Sequence, residues 1–290
     1  MLLNEVRERL IHLHGIPLIT RKMLYQLLEK DSSLKKIYSM TATEISSLFS
    51  IPKEKSINIK KQLHHYNILQ FSESNKSKYC IITIYDDDYP SQLKNLYDAP
   101  LVLYALGNTS LLNRHPSLSV IGTRFPSSEG IPKLNVIVSP LIRQGWVIVS
   151  GMAYGIDSAA HLLTTRLKGE TIAVLGSGFH HIYPKENIPL FNEIIKSGLV
   201  ISEYPPDTPA RKYHFPERNR IISGLTNATL VIEAKKKSGT LITVDQALEQ
   251  GKEVYAVPGS PLIKQTEGCH QMIQDGAKLV TNATDILEDW

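Results

Sequence analysis

One pattern repeats from residue 79 onward: a short apolar stretch, a glycine-containing turn and a longer stretch with helical spacing. The apolar stretches are continuous and rich in β-branched residues, as expected for parallel strands that are buried on both faces. Segments of about 10–20 residues with helical patterns separate them, which is typical of βαβ units. The pattern predicts an α/β fold with a doubly wound, mostly parallel sheet, whose strands lie at residues 80–84, 101–104, 119–121, 147–149, 171–175, 199–201, 229–233 and 253–257.

Residues 1–72 have a different pattern, because their apolar residues recur at the spacing of helices. Two segments, residues 14–17 and 50–52, separate pairs of helical stretches and resemble degenerate helix-hairpin-helix turns, whose backbone amides can bind a phosphate. Pro17 stands where a second glycine is usual and removes one amide, which favours the alternative of a plain helical packing module. We predict a small all-helical (SAM or helix-hairpin-helix-like) domain over residues 1–72, a polar linker at 71–78, and a second domain over 79–290.

The net charge of +4 is distributed unevenly along the chain. Residues 1–78 contain 13 Lys and Arg against 7 Asp and Glu, whereas residues 79–290 contain 19 against 21. The second part is not basic overall, so it would have to bind an anion with a local patch and backbone amides. The surplus of positive charge in the first part leaves open the alternative that residues 1–78 are the main part that binds a polyanion such as DNA.

Glycine turns follow several of the predicted strands. Glycine lets the backbone approach a ligand closely, and the first amides of a helix after such a turn are unpaired and partly positive. We expect each turn to lead into a helix, so that several turns along one edge could hold several phosphates in a row. For any single turn, a tight connection without a ligand is the alternative. The turns contain Gly122, Gly151, Gly155, Gly176, Gly178 and Gly239.

Residues 211–220 combine four cations, two aromatic rings and a histidine. The segment follows the predicted strand at 199–201 and a proline-rich turn, so we expect a loop at the carboxyl end of that strand, with a helix beginning near residue 221. Cations interleaved with rings suit a polyanion with flat bases, because charge binds phosphates and rings stack on bases. A solvated basic loop is the alternative.

The sequence offers little support for catalysis, a cofactor or a metal. Neither a GxGxxG nor a GxxxxGK[ST] motif follows a predicted strand. Asp157 is expected to cap a helix, and Ser158 and His161 lie three residues apart without an evident orienting carboxylate. Two cysteines without a CxxC motif argue against a disulfide framework or a zinc site. We therefore predict no catalytic residues, no cofactor and no metal.

The first nine residues include charged side chains, which is not typical of a signal peptide. The apolar stretches are shorter than the roughly 18 residues that a membrane span needs. We expect a cytoplasmic protein without a membrane association.

A series of motifs resembles the DNA-processing protein A family (DprA, also called Smf). The resemblance spans about residues 79–282, and its specificity comes from the order and spacing of the whole series. The motifs are Ser119-Val-Ile-Gly-Thr-Arg124, residues 150–161, Tyr183-Pro184 with Asn187, residues 202–205, Phe215-Pro-Glu-Arg-Asn-Arg-Ile-Ile222, Ser238-Gly-Thr-Leu-Ile-Thr243, residues 257–259 and residues 268–277.

The resemblance implies an extended Rossmann-like domain that binds single-stranded DNA and is not an enzyme. It implies that the protein protects incoming single strands during natural transformation and loads the recombinase RecA onto them, with single-strand binding protein as a further expected partner. Carried over by motif, the DNA-binding residues are Gly122, Thr123, Arg124, Gly151, Gly155, Lys185, Lys212, Phe215, Arg218, Asn219, Arg220, Ser238 and Gly239. Tyr154 stands where the family often has a basic residue.

The same resemblance implies a homodimer and a recombinase-contacting surface that involve Leu248, Ile273 and Leu279. Taken as residues alone, these three apolar side chains would be assigned to a buried core. The alternative function is a Rossmann-like nucleotide N-glycoside hydrolase, whose PGGxGTxxE loop would correspond to residues 237–245. That loop lacks both the double glycine and the glutamate here, since the last position is Asp245.

Overall fold

The computed structural model describes residues 5–64 and 79–290. Contacts divide the chain into two units, one ending at Asp87 and including Leu101–Leu103, the other comprising Asp88–Pro100 and Tyr104–Trp290. The linker predicted at residues 71–78 and the end of a domain at residue 72 lie outside the described residues. The division into domains at 1–72 and 79–290 therefore stays a prediction.

Within residues 5–64 the first unit contains five helices. The turn predicted at residues 50–52 lies between the helices Ala42–Phe49 and Lys53–Leu63, whereas the turn predicted at residues 14–17 begins within the last two residues of the helix Val6–Gly15. A capping box begins α4, because the Thr41 amide donates to Glu44 Oε2 at 2.6 Å and the Glu44 amide donates to Thr41 Oγ1 at 3.2 Å. The helices are α1 Val6–Gly15, α2 Arg21–Lys30, α3 Lys36–Ser39, α4 Ala42–Phe49 and α5 Lys53–Leu63, and strand β1 is Cys80–Thr83.

The second unit contains strands β3 to β9 and residues 104–107 of β2, in the order β2-β6-β5-β4-β3-β7-β8-β9. All pairings from β3 to β9 are parallel, and β2 is antiparallel to β6. The strands are β2 Val102–Gly107, β3 Ser117–Ile121, β4 Val147–Ser150, β5 Thr171–Leu175, β6 Leu199–Ser202, β7 Ala228–Val231, β8 Glu253–Ala256 and β9 Lys278–Leu279.

Helices connect these strands and pack against the sheet, which buries apolar side chains of both the helices and the strands. One core cluster joins side chains of α7 and α8 to β3, β4, β7 and β8, with Leu134, Val138 and Ile156 fully buried against Leu118 and Leu230. The predicted α/β fold class, a doubly wound and mostly parallel sheet, is confirmed. The helices are α6 Ser91–Lys94, α7 Gly130–Arg143, α8 Ile156–Arg166, α9 Ile188–Ser197, α10 His214–Gly224, α11 Gly239–Glu249, α12 Glu267–Gln274 and α13 Thr284–Leu287.

The order of the strands creates a switch point between β3 and β7. After β3 the chain adds β4, β5 and β6 on one side, and it then crosses to place β7 on the other side of β3. Ile121 and Val231 are paired in register, so the segments after β3 and β7 leave the same edge of the sheet side by side. Open α/β sheets bind ligands at such a carboxyl edge.

Candidate nucleic-acid interface

A cation and two aromatic rings from three separate segments meet at the carboxyl edge. The Arg124 guanidinium, after β3, lies 5.9 Å from the centre of the Phe215 ring, and the Tyr183 ring lies 5.6 Å from the same ring. Phe215 is the second residue of α10, which follows β6. A cation over a ring is attracted to its negative face, so these side chains form one surface, the Arg124–Phe215–Tyr183 cluster.

Glycine at position 176 lets Phe215 lie directly on the backbone at the end of β5. A Cβ atom on Gly176 would be 3.0 Å from Phe215 Cδ1, closer than side chains normally pack. The ring is half-buried, with its remaining surface at the carboxyl edge. The turn after β5 therefore contributes to the site by its lack of a side chain.

Three of the predicted cations, Arg124, Lys185 and Lys212, are exposed. Lys185 begins a 3-10 turn, Lys185–Asn187, in which Asn187 Nδ2 donates to Met152 O at 2.8 Å and so ties this turn to the glycine turn after β4. The Tyr154 hydroxyl in that glycine turn donates to the Glu186 carboxylate. This hydrogen bond raises the pKa of Tyr154 to about 12, so its hydroxyl stays protonated and the side chain stays neutral near pH 7.

Arg218 is placed differently, because its side chain is only 4% exposed. Its Nη1 atom donates to Gly151 O at 2.5 Å and also to Val174 O, and its Nε donates to Asn219 Oδ1 at 3.2 Å. Burial lowers the pKa of Arg218 to about 10, and the nearby Asp157 carboxylate acts in the opposite direction. The guanidinium thus joins the ends of β4 and β5 beneath the edge.

Arg220 is also buried, at 3% exposure. Its Nη2 atom donates to both Glu203 carboxylate oxygens, at 2.7 and 2.6 Å, and its Nε lies 3.0 Å from Asp98 Oδ2. Burial acts to lower the pKa of Arg220, but the two carboxylates outweigh it and the pKa is raised. Arg220 therefore holds α10 against the end of β6.

Two expectations about local structure at this edge are wrong. Residues 214–220 are not a loop, because α10 begins at His214 rather than near residue 221. Pro216 is compatible with this start, since the amide of a residue in the first turn has no helical partner. Asp157 is not a cap but lies inside α8, which begins after Gly155, and its carboxylate accepts from the Gly151 amide at 3.2 Å.

The glycine turns also differ from the expectation that each one leads into a helix. The turns at Gly155 and at Ser238 lead directly into α8 and α11, whereas α7 begins only at Gly130 and α9 at Ile188. The turn at Gly122 is instead held by the neighbouring strand, because the Thr123 amide donates to Glu233 O at 2.8 Å. Two helix starts, not four, lie directly at these turns, and at the start of α8 the Ile156 amide is already bonded to Thr123 O at 3.2 Å.

The turn at Gly178 is so closely packed that an added methyl group should destabilise the protein. A Cβ there would overlap the carbonyl oxygens of Pro205 and Pro206, whereas at Gly239 no described atom lies within 4 Å of one. We expect Gly178→Ala to lower the free energy of unfolding by about 1–3 kcal/mol and Gly239→Ala to change it by less than about 0.5 kcal/mol. Urea unfolding measures both values, and equal stabilities would contradict the packing argument.

Ser158 and His161 bond to different partners and do not form a pair. Ser158 Oγ donates to Gly155 O at 3.1 Å, and His161 Nδ1 lies 2.6 Å from Thr171 Oγ1, which itself donates to Ile148 O at 2.7 Å. Since Thr171 uses its proton on Ile148, the imidazole must donate through Nδ1. His161 thus tethers α8 to β5.

Burial of His161 should make the protein less stable in mild acid. It lowers the pKa of the imidazole from 6.5 to about 3, so between these values the unfolded chain binds a proton that the folded chain does not. The contribution of neutral His161 to the free energy of unfolding should be fully present above pH 6.5 and should decrease as the pH falls below that value. We expect a smaller fall in melting temperature between pH 7 and pH 4 for His161→Gln. An unchanged pH profile would contradict this assignment, although His12 and His14, whose pKa values are each lowered to about 4, share the window.

The sequence interpretation missed three features of this edge. Tyr183 was noted only as part of a motif, Phe125 was not considered, and exposed Lys235–Lys237 follow β7. The lysines carry a signal that could have been used, because three consecutive cations directly follow a strand expected to end at the carboxyl edge. The remaining predicted residues, Ser238 and Gly239, lie at the start of α11.

The three residues assigned to an interface are not all in the core. Leu248, on α11, is 60% exposed, Leu279, on β9, is also exposed, and Ile273, on α12, is half-buried. Within residues 5–64 and 79–290, His, Cys, Asp and Glu side chains form no group of three that could hold a metal ion. None of the helices in these ranges is long and apolar enough to cross a membrane.

The fold and this edge define a Rossmann-like α/β protein whose candidate ligand site lies at the carboxyl ends of parallel strands. Residues 80–290 match the family described as DNA recombination-mediator protein A, and the chain belongs to that family. It is 47% identical to DNA processing protein DprA of Bacillus subtilis over 208 residues, which are 72% of this chain and 70% of that protein.

Two of the solved structures similar to this one are described as DNA processing protein A. The X-ray structure of DNA processing protein A from Streptococcus pneumoniae has a TM-score of 0.84 and 35% identity, and covers 100% of this chain and 99% of that chain. The Helicobacter pylori structure, which is described as giving insights into a unique single-stranded DNA binding mode, has a TM-score of 0.66 and 28% identity. It covers 74% of this chain and 99% of the H. pylori chain.

Proposed function

We propose that this chain is a recombination mediator that binds single-stranded DNA at the carboxyl edge of its sheet. The observation that carries the proposal is the Arg124–Phe215–Tyr183 cluster, in which a guanidinium lies 5.9 Å from one ring and a second ring lies 5.6 Å from it. Membership of the family and the single-stranded DNA binding described for the H. pylori protein support it.

The exposed cations and the buried ones take different roles in this proposal. Arg124, Lys185 and Lys212 contact phosphates, because they are exposed at or near the glycine turns. Arg218 and Arg220 position the site from beneath, since their guanidinium groups are already bonded to backbone carbonyls and carboxylates. The backbone at Gly122, Gly155, Ser238 and Gly239 completes the phosphate path. Thr123 and Gly151 shape that path, because their amides are already bonded to Glu233 O and to the Asp157 carboxylate, and Asn219 holds Arg218.

Phe215 and Tyr183 offer their rings to bases. A ring can stack on a base only if that base has left its own stack, so the site favours single strands over duplexes. Contacts to phosphates and ring faces carry no base-edge pattern, and the preference for particular sequences should therefore be weak.

The proposal is tested by fluorescence anisotropy with a labelled single strand of about 30 nucleotides and the matching duplex, across a salt series. The phosphate contacts of Arg124, Lys185 and Lys212 should contribute about −2 to the slope of log affinity against log salt for the single strand, and Arg124→Ala should reduce the magnitude of that slope by about 0.7. Arg143→Ala, which removes an exposed arginine at the end of α7, is the matched control. Equal binding of strand and duplex, or an unchanged slope in Arg124→Ala, would refute the proposal.

We further propose that the bound strand is passed to a recombinase of the RecA class during natural transformation, in the cytoplasm, by a homodimer. Leu248 and Leu279 are exposed and Ile273 is half-buried, so all three are accessible to a partner, which supports their use in a contact surface. Leu248→Glu should give a monomer in light scattering without loss of helical circular dichroism. The loading step is tested by the rate of recombinase assembly on a strand covered with single-strand binding protein. We expect assembly to be faster when this chain is present than when it is absent.

No chemical step on DNA is part of the proposal. Asp245, at the position that a nucleotide N-glycoside hydrolase would need for its carboxylate, is an exposed residue of α11. Release of a base from a nucleoside monophosphate would revive the hydrolase alternative.

A further inference from the structure

Phe125 is an exposed aromatic side chain at the carboxyl edge. It directly follows Arg124, and 72% of it is accessible to solvent. A phenylalanine so exposed gains nothing from burial, and a single exposed apolar residue is common enough on protein surfaces to need no explanation. Phe125 suggests a ligand contact because it is next to Arg124, whose guanidinium already lies over the Phe215 ring.

The backbone that carries Phe125 is held by hydrogen bonds to two other segments and by one within its own turn. The Thr123 amide donates to Glu233 O at 2.8 Å, and the Phe125 amide is 3.3 Å from Thr123 Oγ1. Gln265 Nε2 donates to Phe125 O at 3.4 Å. The ring therefore projects from a backbone that is bonded on both sides of it.

A buried carboxylate fixes the rest of the same segment. Glu233, which is fully buried, accepts from the Ser127 amide at 2.8 Å and from Ser127 Oγ at 2.5 Å. Lys133 Nζ lies 3.9 Å from the same carboxylate. Glu233 follows β7, so it joins the segment after β3 to the segment after β7. Phe125 lies on the first of these segments, and Lys235–Lys237 lie on the second.

Lys235–Lys237 are three consecutive exposed cations on the segment after β7. They begin two residues after Glu233, whose carbonyl binds Thr123. The Ala234 carbonyl is itself fixed, because it accepts from the Gly268 amide at 2.7 Å. An exposed ring and three exposed cations on neighbouring segments have the combination that suits a base followed by phosphates, as in a single-stranded nucleic acid.

We propose that Phe125 and Lys235–Lys237 form a second subsite for the single strand, next to the Arg124–Phe215–Tyr183 cluster. Phe125 stacks on one base, the lysines bind the phosphates beyond it, and Arg124 lies between the two stacking positions. This inference rests on the proposed function and adds the direction of the strand, which crosses the switch point from β5 and β6 toward β7.

The test uses the full chain and a labelled oligothymidylate of about 30 nucleotides in fluorescence anisotropy. We expect Phe125→Ala to weaken binding by about 5- to 100-fold, the range that follows from about 1–3 kcal/mol for one stacked base. Phe125→Trp should bind like the wild type, and Phe125→Leu should be as weak as Phe125→Ala, because stacking needs an aromatic face. The matched control is Tyr97→Ala, which removes a fully exposed ring from the segment before β2.

Two further measurements separate the ring from the lysines. On a strand of the same length with abasic sites in place of thymidines, Phe125→Ala should bind like the wild type, since no base remains to stack. Replacing all three lysines with glutamine should reduce the salt slope by about 2, which corresponds to three lost phosphate contacts.

The outcomes distinguish this inference from the function on which it rests. If Phe215→Ala bound the oligothymidylate more weakly than the wild type and Phe125→Ala bound it equally well, the second subsite alone would be overturned. Tight binding by Phe125→Leu would overturn stacking as its mechanism. Absence of wild-type binding to the oligothymidylate would overturn the proposed function, and the second subsite with it.

Discussion

Arg218→Ala should lower the free energy of unfolding by about 3–5 kcal/mol, the range expected when one partner of a buried charged network is removed. The guanidinium is 4% exposed and bonds to the carbonyl oxygens of Gly151 and Val174. Its loss would leave both oxygens without this donor. It would also remove the positive charge that opposes the effect of burial on Asp157, whose pKa burial raises. Urea unfolding followed by circular dichroism measures the change.

The control for this variant is Arg143→Ala, because Arg143 is an exposed arginine on a helix of the same unit. Its expected change in the free energy of unfolding is within about 0.5 kcal/mol. If Arg218→Ala were as stable as Arg143→Ala and lost only DNA binding, Arg218 would be a phosphate contact rather than a support. Phosphate binding without a cost in stability is thus the result that would contradict the structural role.

Phe215→Ala should weaken single-strand binding by about 5- to 100-fold, the range for the loss of one stacked base. The variant also removes the ring over which the Arg124 guanidinium lies, so the position of a phosphate contact is lost together with the stack. Phe215→Trp should retain most of the affinity if its larger ring fits beside Gly176 and Tyr183. Anisotropy titrations at one salt concentration measure the single-strand affinities of the wild type, Phe215→Ala and Phe215→Trp.

Two observations would argue against this role of Phe215. The first is an affinity for single strands that Phe215→Ala leaves unchanged while the protein stays folded by circular dichroism. The second is an equal loss of affinity for an abasic strand, since that result would assign the effect of the ring to Arg124 alone. A double-variant cycle with Arg124→Ala measures how far the two side chains act together.

The strands of the second unit could be predicted because their signal is local. A strand covered on both faces has to be apolar at consecutive positions, and residues 171–175 show this without reference to the rest of the chain. The start of α10 could not be predicted in the same way. Residues 214–220 are mostly polar or charged, and they are helical because Arg218 and Arg220 find buried partners elsewhere in the fold.

The candidate site also has some features that local sequence predicts and others that depend on distant segments. Glycine turns, cations and aromatic residues at the carboxyl ends of the strands could be identified from their order along the chain. Which cations face the solvent could not, because Arg218 differs from Arg124 only through partners that are distant in sequence. Gly151, for example, lies 67 positions from Arg218.

Local pattern alone was enough for the α/β class, the positions of the strands and, through the order of its motifs, the family. Packing between distant segments decided the rest: the burial of Arg218 and Arg220, the meeting of Arg124 with Phe215 and Tyr183, and the exposure of Phe125 beside Lys235–Lys237. The physical reason is that secondary structure follows from the spacing of apolar residues within one segment. The accessibility of a charged group depends instead on which hydrogen-bond partners the other segments bring to it.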